Sequence, residues 1–237
     1  MRIMSEQASL SARILEILFP RACVLCGRSL LEEAGRRYPL CESCEAALPE
    51  VRGERCSRCG KPLLSELGLC MRCRDRSFDF DTAHPLWEYS GSVKELLISY
   101  KIGGYRRLAE FFALRVLARL KEAHFGTPLV PVPFRKGKMR KTGWDQVEDL
   151  AAVLERRGVA VIRCLEREEG VSQKTLDYAA RMSNLTGKIR LRKGIRVPER
   201  IVLLDDVLTT GATLSECARV LKEGGAVRVD ALVLAAD

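Results

Sequence analysis

Eight of the ten cysteines fall between Cys23 and Cys73 as four Cys-x2-Cys pairs: Cys23/Cys26, Cys41/Cys44, Cys56/Cys59 and Cys70/Cys73. Two thiolates separated by two residues place both sulfurs on one tetrahedral ion, and two such knuckles complete a closed zinc site. Four pairs therefore predict two zincs. Joining neighbours spans loops of 14 and 10 residues. It puts Cys23, Cys26, Cys41 and Cys44 on one ion and Cys56, Cys59, Cys70 and Cys73 on the other. Interleaved pairing is less favourable because it orders a longer loop. Gly27 and Gly60 directly follow their pairs, where a tight knuckle turn suits glycine. Disulfides, an iron–sulfur cluster or a redox-active pair are the alternatives. A reducing compartment disfavours the first. Sites with four protein thiolates have no open position, so the zincs are expected to be structural. Little apolar sequence lies between the pairs, and metal binding is what folds such a segment. Cys164 and Cys217 stand apart from the pairs.

After Cys73 the texture changes. Strand-like and helix-like segments alternate, which predicts an α/β fold with a parallel sheet flanked by helices. The boundary is placed near Ser77, giving a small zinc-binding domain over 1–77 and an α/β domain over 78–237. Candidate strands are Ala83–Tyr89, Leu129–Val132, Val159–Arg163, Ile201–Leu204 and Val227–Leu234. Candidate helices are Val93–Ser99, Leu108–Ala123, Gln146–Arg156 and Leu214–Glu223. With 47% hydrophobic and 30% charged residues among 237, the chain is too apolar for a disordered protein. No apolar run approaches the ~20 residues that span a bilayer, and the first residues lack the apolar core of a signal peptide. A cytoplasmic protein is expected. Leu10, Ile14, Ile17 and Leu18 recur at helical spacing, predicting a short amphipathic helix before Pro20 that packs on its own domain.

Ile201–Leu204 is a continuous apolar run, as in a central parallel strand buried on both faces. Asp205 and Asp206 follow at its carboxyl end, where open α/β sheets bind ligands. Next come Thr209, Thr210, Gly211, Ala212 and Thr213, a hydroxyl-rich loop around one glycine. Gly211 admits close backbone approach, and the hydroxyls donate to anion oxygens. Thr213 and Glu216 have the spacing of a capping box that starts a helix ending at Gly224 and Gly225. A helix N-terminus favours phosphate. Two carboxylates repel it, but they accept from the vicinal hydroxyls of a sugar. Phosphate at the helix and a diol at the acids describe ribose 5-phosphate.

The stretch IVLLDDVLTTGAT, Ile201–Thr213, resembles the motif with which type I phosphoribosyltransferases bind phosphoribosyl pyrophosphate (PRPP). That resemblance implies Asp205 and Asp206 on the ribose hydroxyls and Thr209–Thr213 on the 5′-phosphate. The four zinc knuckles, SYKIGGYRRLAEFF, VPVPFRKGKMRKTGWDQ and REEGVSQKTLDYAARMSN together resemble the ComF family of competence-associated proteins. They imply a type I phosphoribosyltransferase-like sheet joined to an N-terminal double zinc ribbon. One departure stands out: the family pattern Arg-Gly-Phe-Asn-Gln reads Thr142-Gly143-Trp144-Asp145-Gln146 here, losing a cation and turning an amide into an acid.

The same resemblance implies Mg²⁺ bound with PRPP; this ion keeps waters and takes substrate oxygens, so no protein cage is expected. Lys101, Arg135 and Lys136 correspond to the pyrophosphate loops, against the alternative of solvated surface charge. Arg167, Gln173, Arg181 and Asn184 lie in a polar segment that would close over the substrate. Thr209 stands where hypoxanthine–guanine enzymes carry an aspartate, which disfavours a purine acceptor; the acceptor itself is unknown. Trp144 or Tyr105 can stack on a base, though packing is the commoner role. Arg135, Lys136, Lys138, Arg140 and Lys141 fall within seven residues that contain no acid, and the net charge is +9. An anionic partner is expected. Three functions are open: phosphoribosyl transfer with release of pyrophosphate, PRPP binding without transfer, and single-stranded DNA binding alongside DNA-uptake proteins.

Overall fold

A computed structural model describes residues 21–31, 33, 36–49, 53–63, 68–123, 126–168 and 187–237. The helix expected around Leu10, Ile14, Ile17 and Leu18 lies outside them, as do Gln173, Arg181 and Asn184. Two short helices, α1 (Glu42–Ala46) and α2 (Met71–Arg74), sit within the cysteine segment. After them come β1 (Ala83–Glu88), α3 (Gly91–Lys101), α4 (Leu108–Ala123), β2 (Leu129–Pro131), α5 (Lys136–Thr142) and α6 (Gln146–Arg156). The chain ends with β3 (Leu165–Arg167), β4 (Ile189–Leu191), β5 (Arg200–Leu208), α7 (Ala212–Glu223) and β6 (Arg228–Ala236).

Strands β1, β6, β5 and β2 form, in that order, one parallel sheet, while β3 and β4 make a separate antiparallel pair. The segment Val159–Arg163, expected as a strand, is reduced to one parallel bridge between Val161 and Leu129. Its neighbour explains this: β2 is three residues long and ends on Pro131, which has no N–H to give a ladder. Conversely, β5 runs four residues beyond the apolar stretch because β6 continues beside it, pairing Asp205 with Val233 and Leu208 with Ala236. The two acids therefore lie within the strand. Among the described residues no helix is long and apolar enough to cross a membrane.

Strand side chains alternate between the faces. Val202, Leu204, Leu232 and Leu234 join α3, α4 and α6 in one core, whose largest fully buried rings are Tyr100, Phe111 and Phe112. In α4, Leu108, Phe111, Phe112 and Val116 recur at helical spacing and are fully buried, the stripe that fixes which side faces inward. Ile201, Leu203, Ala231 and Val233 join α7, Phe78 and Phe80 in the second core.

The cysteine segment adds to both cores. Cys23, Leu30, Leu40, Cys41 and Leu48 belong to the first, with the Tyr38 ring 5.4 Å from that of Phe111. Cys56, Cys59 and Cys73 belong to the second. The segment straddles β1, an edge strand. Ala83 donates its N–H to the Arg58 carbonyl at 2.8 Å, and an Arg55 Nη1 donates to the Pro85 carbonyl at 3.0 Å. Gly60 touches that edge so closely that a Cβ would lie 2.4 Å from the Ala83 oxygen.

Candidate functional site

Two clusters of four thiols appear where sequential pairing places them. The sulfurs of Cys23, Cys26, Cys41 and Cys44 lie within 4.8 Å of one another, as do those of Cys56, Cys59, Cys70 and Cys73. Cys26 and Cys41 are 3.7 Å apart at sulfur, and Cys59 and Cys70 are 3.6 Å apart. A tetrahedron with Zn–S bonds of ~2.3 Å has edges of about 3.8 Å, so both sets fit zinc. All ten cysteines are free thiols.

The ligand edge of the sheet brings the paired acids and a cation together. Asp206, 6% exposed, takes the Lys101 ammonium at 2.8 Å and the Gln146 Nε2 at 2.5 Å on one oxygen, Oδ2. Its other oxygen accepts the Val207 N–H at 2.7 Å. Asp205 accepts the Asp206 N–H at 2.9 Å. Burial, and then the adjoining Asp206 charge, push the Asp205 carboxyl up to about 8. Burial works against the Lys101 charge, yet Asp206 and Asp205 outweigh it and raise that pKa above its ordinary value. One ammonium thus serves two adjoining carboxyl groups. Gln146 was not singled out from the sequence as a site residue. Its signal was a polar side chain opening an amphipathic helix, and α6 does bury it.

The loop after β5 enters α7 through Gly211, at φ 81°. The capping box expected from Thr213 and Glu216 is not formed. The helix begins at Ala212, so Thr213 lies inside its first turn, and Glu216 accepts the Gly187 N–H at 2.8 Å while pairing with Arg219. The N-cap, Gly211, offers no capping side chain; the Thr210 hydroxyl accepts the Ala212 N–H at 3.4 Å, a long contact that an anion at this N-terminus would replace. Gly211 is constrained twice, since a Cβ there would also lie 2.5 Å from Phe78. Gly211→Ala is expected to destabilise the chain by about 2–3 kcal/mol, read as a lower urea midpoint with an unchanged slope.

The remaining candidates border this edge. Arg135 precedes α5 and is exposed, and Lys136 opens that helix. Arg167, on β3, is held below its ordinary pKa by burial and then by the Arg135 charge, with Cys217 and Asp205 opposing. Arg167 is thus within electrostatic reach of both Arg135 and Asp205. Beside them opens a cleft of about 200 Å³, lined by Phe134, Arg163, Arg167 and Arg192 among others. The two departures at 142 and 145 have local roles. The Thr142 hydroxyl donates to the Trp144 carbonyl at 2.9 Å. Asp145 caps α6, accepting the Val147 and Glu148 N–H groups at 3.0 and 3.3 Å; Asn fills an N-cap equally well. Trp144 packs against Tyr100, with their ring centres 5.6 Å apart, and Arg106 also lies 5.6 Å over the Trp144 ring. Tyr105 is 48% exposed.

Comparison with known proteins follows the same division. The double zinc ribbon domain family matches residues 14–74. The competence protein ComFC of Streptococcus pneumoniae is 26% identical over 86% of this chain and 94% of its own length. The DNA utilization protein YhgH of Escherichia coli is 25% identical over 89% of this chain and 94% of its own. Among solved structures, a hypoxanthine phosphoribosyltransferase from Staphylococcus aureus aligns with 54% of this chain and 62% of its own at 18% identity, with a TM-score of 0.35. The two four-thiol clusters are the zinc sites of a double ribbon. With relatives aligned through the ribbon and the parallel sheet alike, the chain is similar to the ComF-type competence and DNA utilization proteins over most of its length.

Proposed function

We propose that the ligand edge binds PRPP and that the chain transfers its phosphoribosyl group, releasing pyrophosphate, in the context of DNA uptake. In this reading residues 1–77 form the zinc-binding domain and 78–237 the phosphoribosyl-binding domain. The observation that carries it is the pairing of Asp205 and Asp206, neutralised in part by Lys101, with a helix whose N-cap is Gly211 and which opens through a hydroxyl-rich loop. The acids accept from the ribose 2′- and 3′-hydroxyls. Thr209, Thr210 and Thr213, with the amides of Gly211 and Ala212, hold the 5′-phosphate.

Pyrophosphate needs cations, and Lys101, Arg135 and Lys136 supply them. Lys101 would exchange part of its contact with Asp206 for the incoming phosphates. Mg²⁺ arriving with PRPP would help neutralise the leaving group, while Asp205 and Asp206 would hold the ribose diol. Displacement at the anomeric carbon develops oxocarbenium character, so the chain's task is to orient the sugar and stabilise the departing charge. The acceptor enters by the cleft that Phe134 and Arg167 line.

The relatives named for competence and DNA utilization support the DNA-uptake context. The exposed basic surface around Arg135, Arg140 and Lys141 supports a single-stranded DNA partner, and the acceptor and that DNA are tested together. Pyrophosphate release from PRPP and Mg²⁺ is expected with an acceptor drawn from nucleobases or single-stranded DNA. No release with saturable PRPP binding leaves a non-catalytic PRPP-binding protein. Absence of PRPP binding sinks the reading altogether.

A further inference from the structure

The two zinc sites differ in what their knuckles carry. In the first, the third knuckle positions are Leu25 and Ser43; in the second they are Arg58 and Arg72, in CSRC and CMRC. Both arginines leave the ribbon. Arg58 Nη1 donates to the Phe78 carbonyl at 2.9 Å. Arg72 Nη1 donates to the Thr209 carbonyl at 2.6 Å and to the Asp237 backbone oxygen at 3.1 Å. Thr209 is the first residue after β5.

We propose that Arg72, fixed by the second zinc knuckle, is a positioning residue for the Thr209–Thr213 loop, which the ribbon holds in its anion-binding form. This rests on the reading of that loop as the 5′-phosphate site. The peptide between Thr209 and Thr210 is trans, so its C=O and N–H point in opposite directions. A guanidinium that holds the carbonyl on the ribbon side turns the Thr210 N–H to the other side. The same cation polarises that peptide, making the N–H a stronger donor.

The segment following Cys73 grips the loop a second time. Phe78, whose carbonyl Arg58 holds, packs on Gly211 so tightly that a Cβ there would lie 2.5 Å from its ring. Asp79 donates its N–H to the Ser215 hydroxyl at 3.0 Å and accepts from it at 2.6 Å, tying the first turns of α7 to the same stretch. The loop is therefore clamped at its start by Arg72 and at its helical end by Phe78 and Asp79. The first clamp begins in the second ribbon, and the second is tied to it through the Arg58 bond to the Phe78 carbonyl. The first ribbon packs on the opposite core.

The test uses the full zinc-loaded chain and Arg72→Met, which keeps the stem and removes the donors, with Arg72→Lys as conservative rescue and Arg37→Ala as control. Hydrogen exchange at the amides of 209–213, PRPP affinity by calorimetry with Mg²⁺, and zinc content are read on each. We expect loop exchange about tenfold faster and PRPP binding about tenfold weaker in Arg72→Met, the effect of one charge-assisted hydrogen bond. Zinc stays at two per chain, Lys recovers part of both effects, and the control matches the parent. Unchanged loop exchange, or faster exchange with unchanged PRPP affinity, overturns the proposal. If Arg72→Met loses zinc, Arg72→Gln is read the same way and decides. If the parent chain binds no PRPP, the phosphoribosyl reading falls, and exchange alone decides whether Arg72 sets the loop.

Discussion

Asp205→Asn is expected to weaken PRPP binding about 100-fold, from the loss of ~2–3 kcal/mol of charge-assisted hydrogen bonding to the ribose, while making the ligand-free chain more stable at alkaline pH. The second effect follows from the raised carboxyl. Its pKa in the fold is about 8, against ~3.9 in an unfolded chain. Between those values the native state holds a proton that the unfolded state has lost, so stability falls as pH rises through the window and levels off above it. Asparagine has no proton to lose. The variant should exceed the parent by on the order of 5 kcal/mol at pH 8 to 9, about 1.4 kcal/mol for each of the roughly four pH units between the two values, and converge with it near pH 4. Denaturant midpoints measured across that range check this. A parent no less stable than Asp205→Asn at pH 9 would show that the two acids do not strain the ligand-free site.

Loss of zinc from the second site is expected to have the larger effect on folding. Cys59→Ser should leave about one zinc per chain and lower the unfolding midpoint by more than ~10 °C, since structural zinc contributes a free energy comparable with the whole margin of a typical domain. Cys59 is 5% exposed and belongs to the core beneath α7, so the damage should reach the sheet. Cys26, by contrast, is exposed, and Cys26→Ser should remove one zinc while perturbing the α4 side more than α7. Metal analysis with exchange mapping separates the two cases. Equal protection of α7 in both variants would count against the division of the ribbons between the cores.

Much of this was legible because its determinants are local. Leu108–Ala123 and Gln146–Arg156 are helices over the residues that their apolar spacing marks. The cysteine pairs close sequentially because short loops close most readily. The acids and the hydroxyl loop could be read together because they adjoin in the chain. What escaped is of two kinds. Helix α5 is basic and without an apolar stripe, and β3 and β4 are three residues each, too short for a period to register. The others are long-range. Gln146 meets Asp206 across 60 residues and Arg72 meets Thr209 across 137, contacts that no window of sequence contains. The capping box failed because a left-handed Gly211 starts the helix before Thr213.

The covering of β1 carries a last consequence. An uncovered edge strand templates pairing with other chains, and here the backbone of Arg58 and the Arg55 side chain occupy that edge. Arg58 lies between two metal-binding thiols. The thiols therefore guard solubility as well as shape: oxidising or stripping the second site would bare a strand reading Ala-His-Pro-Leu-Trp-Glu together with the apolar floor beneath it. Self-association through that edge, rather than simple monomeric unfolding, is the failure this architecture invites, and its onset should track zinc occupancy and protein concentration together.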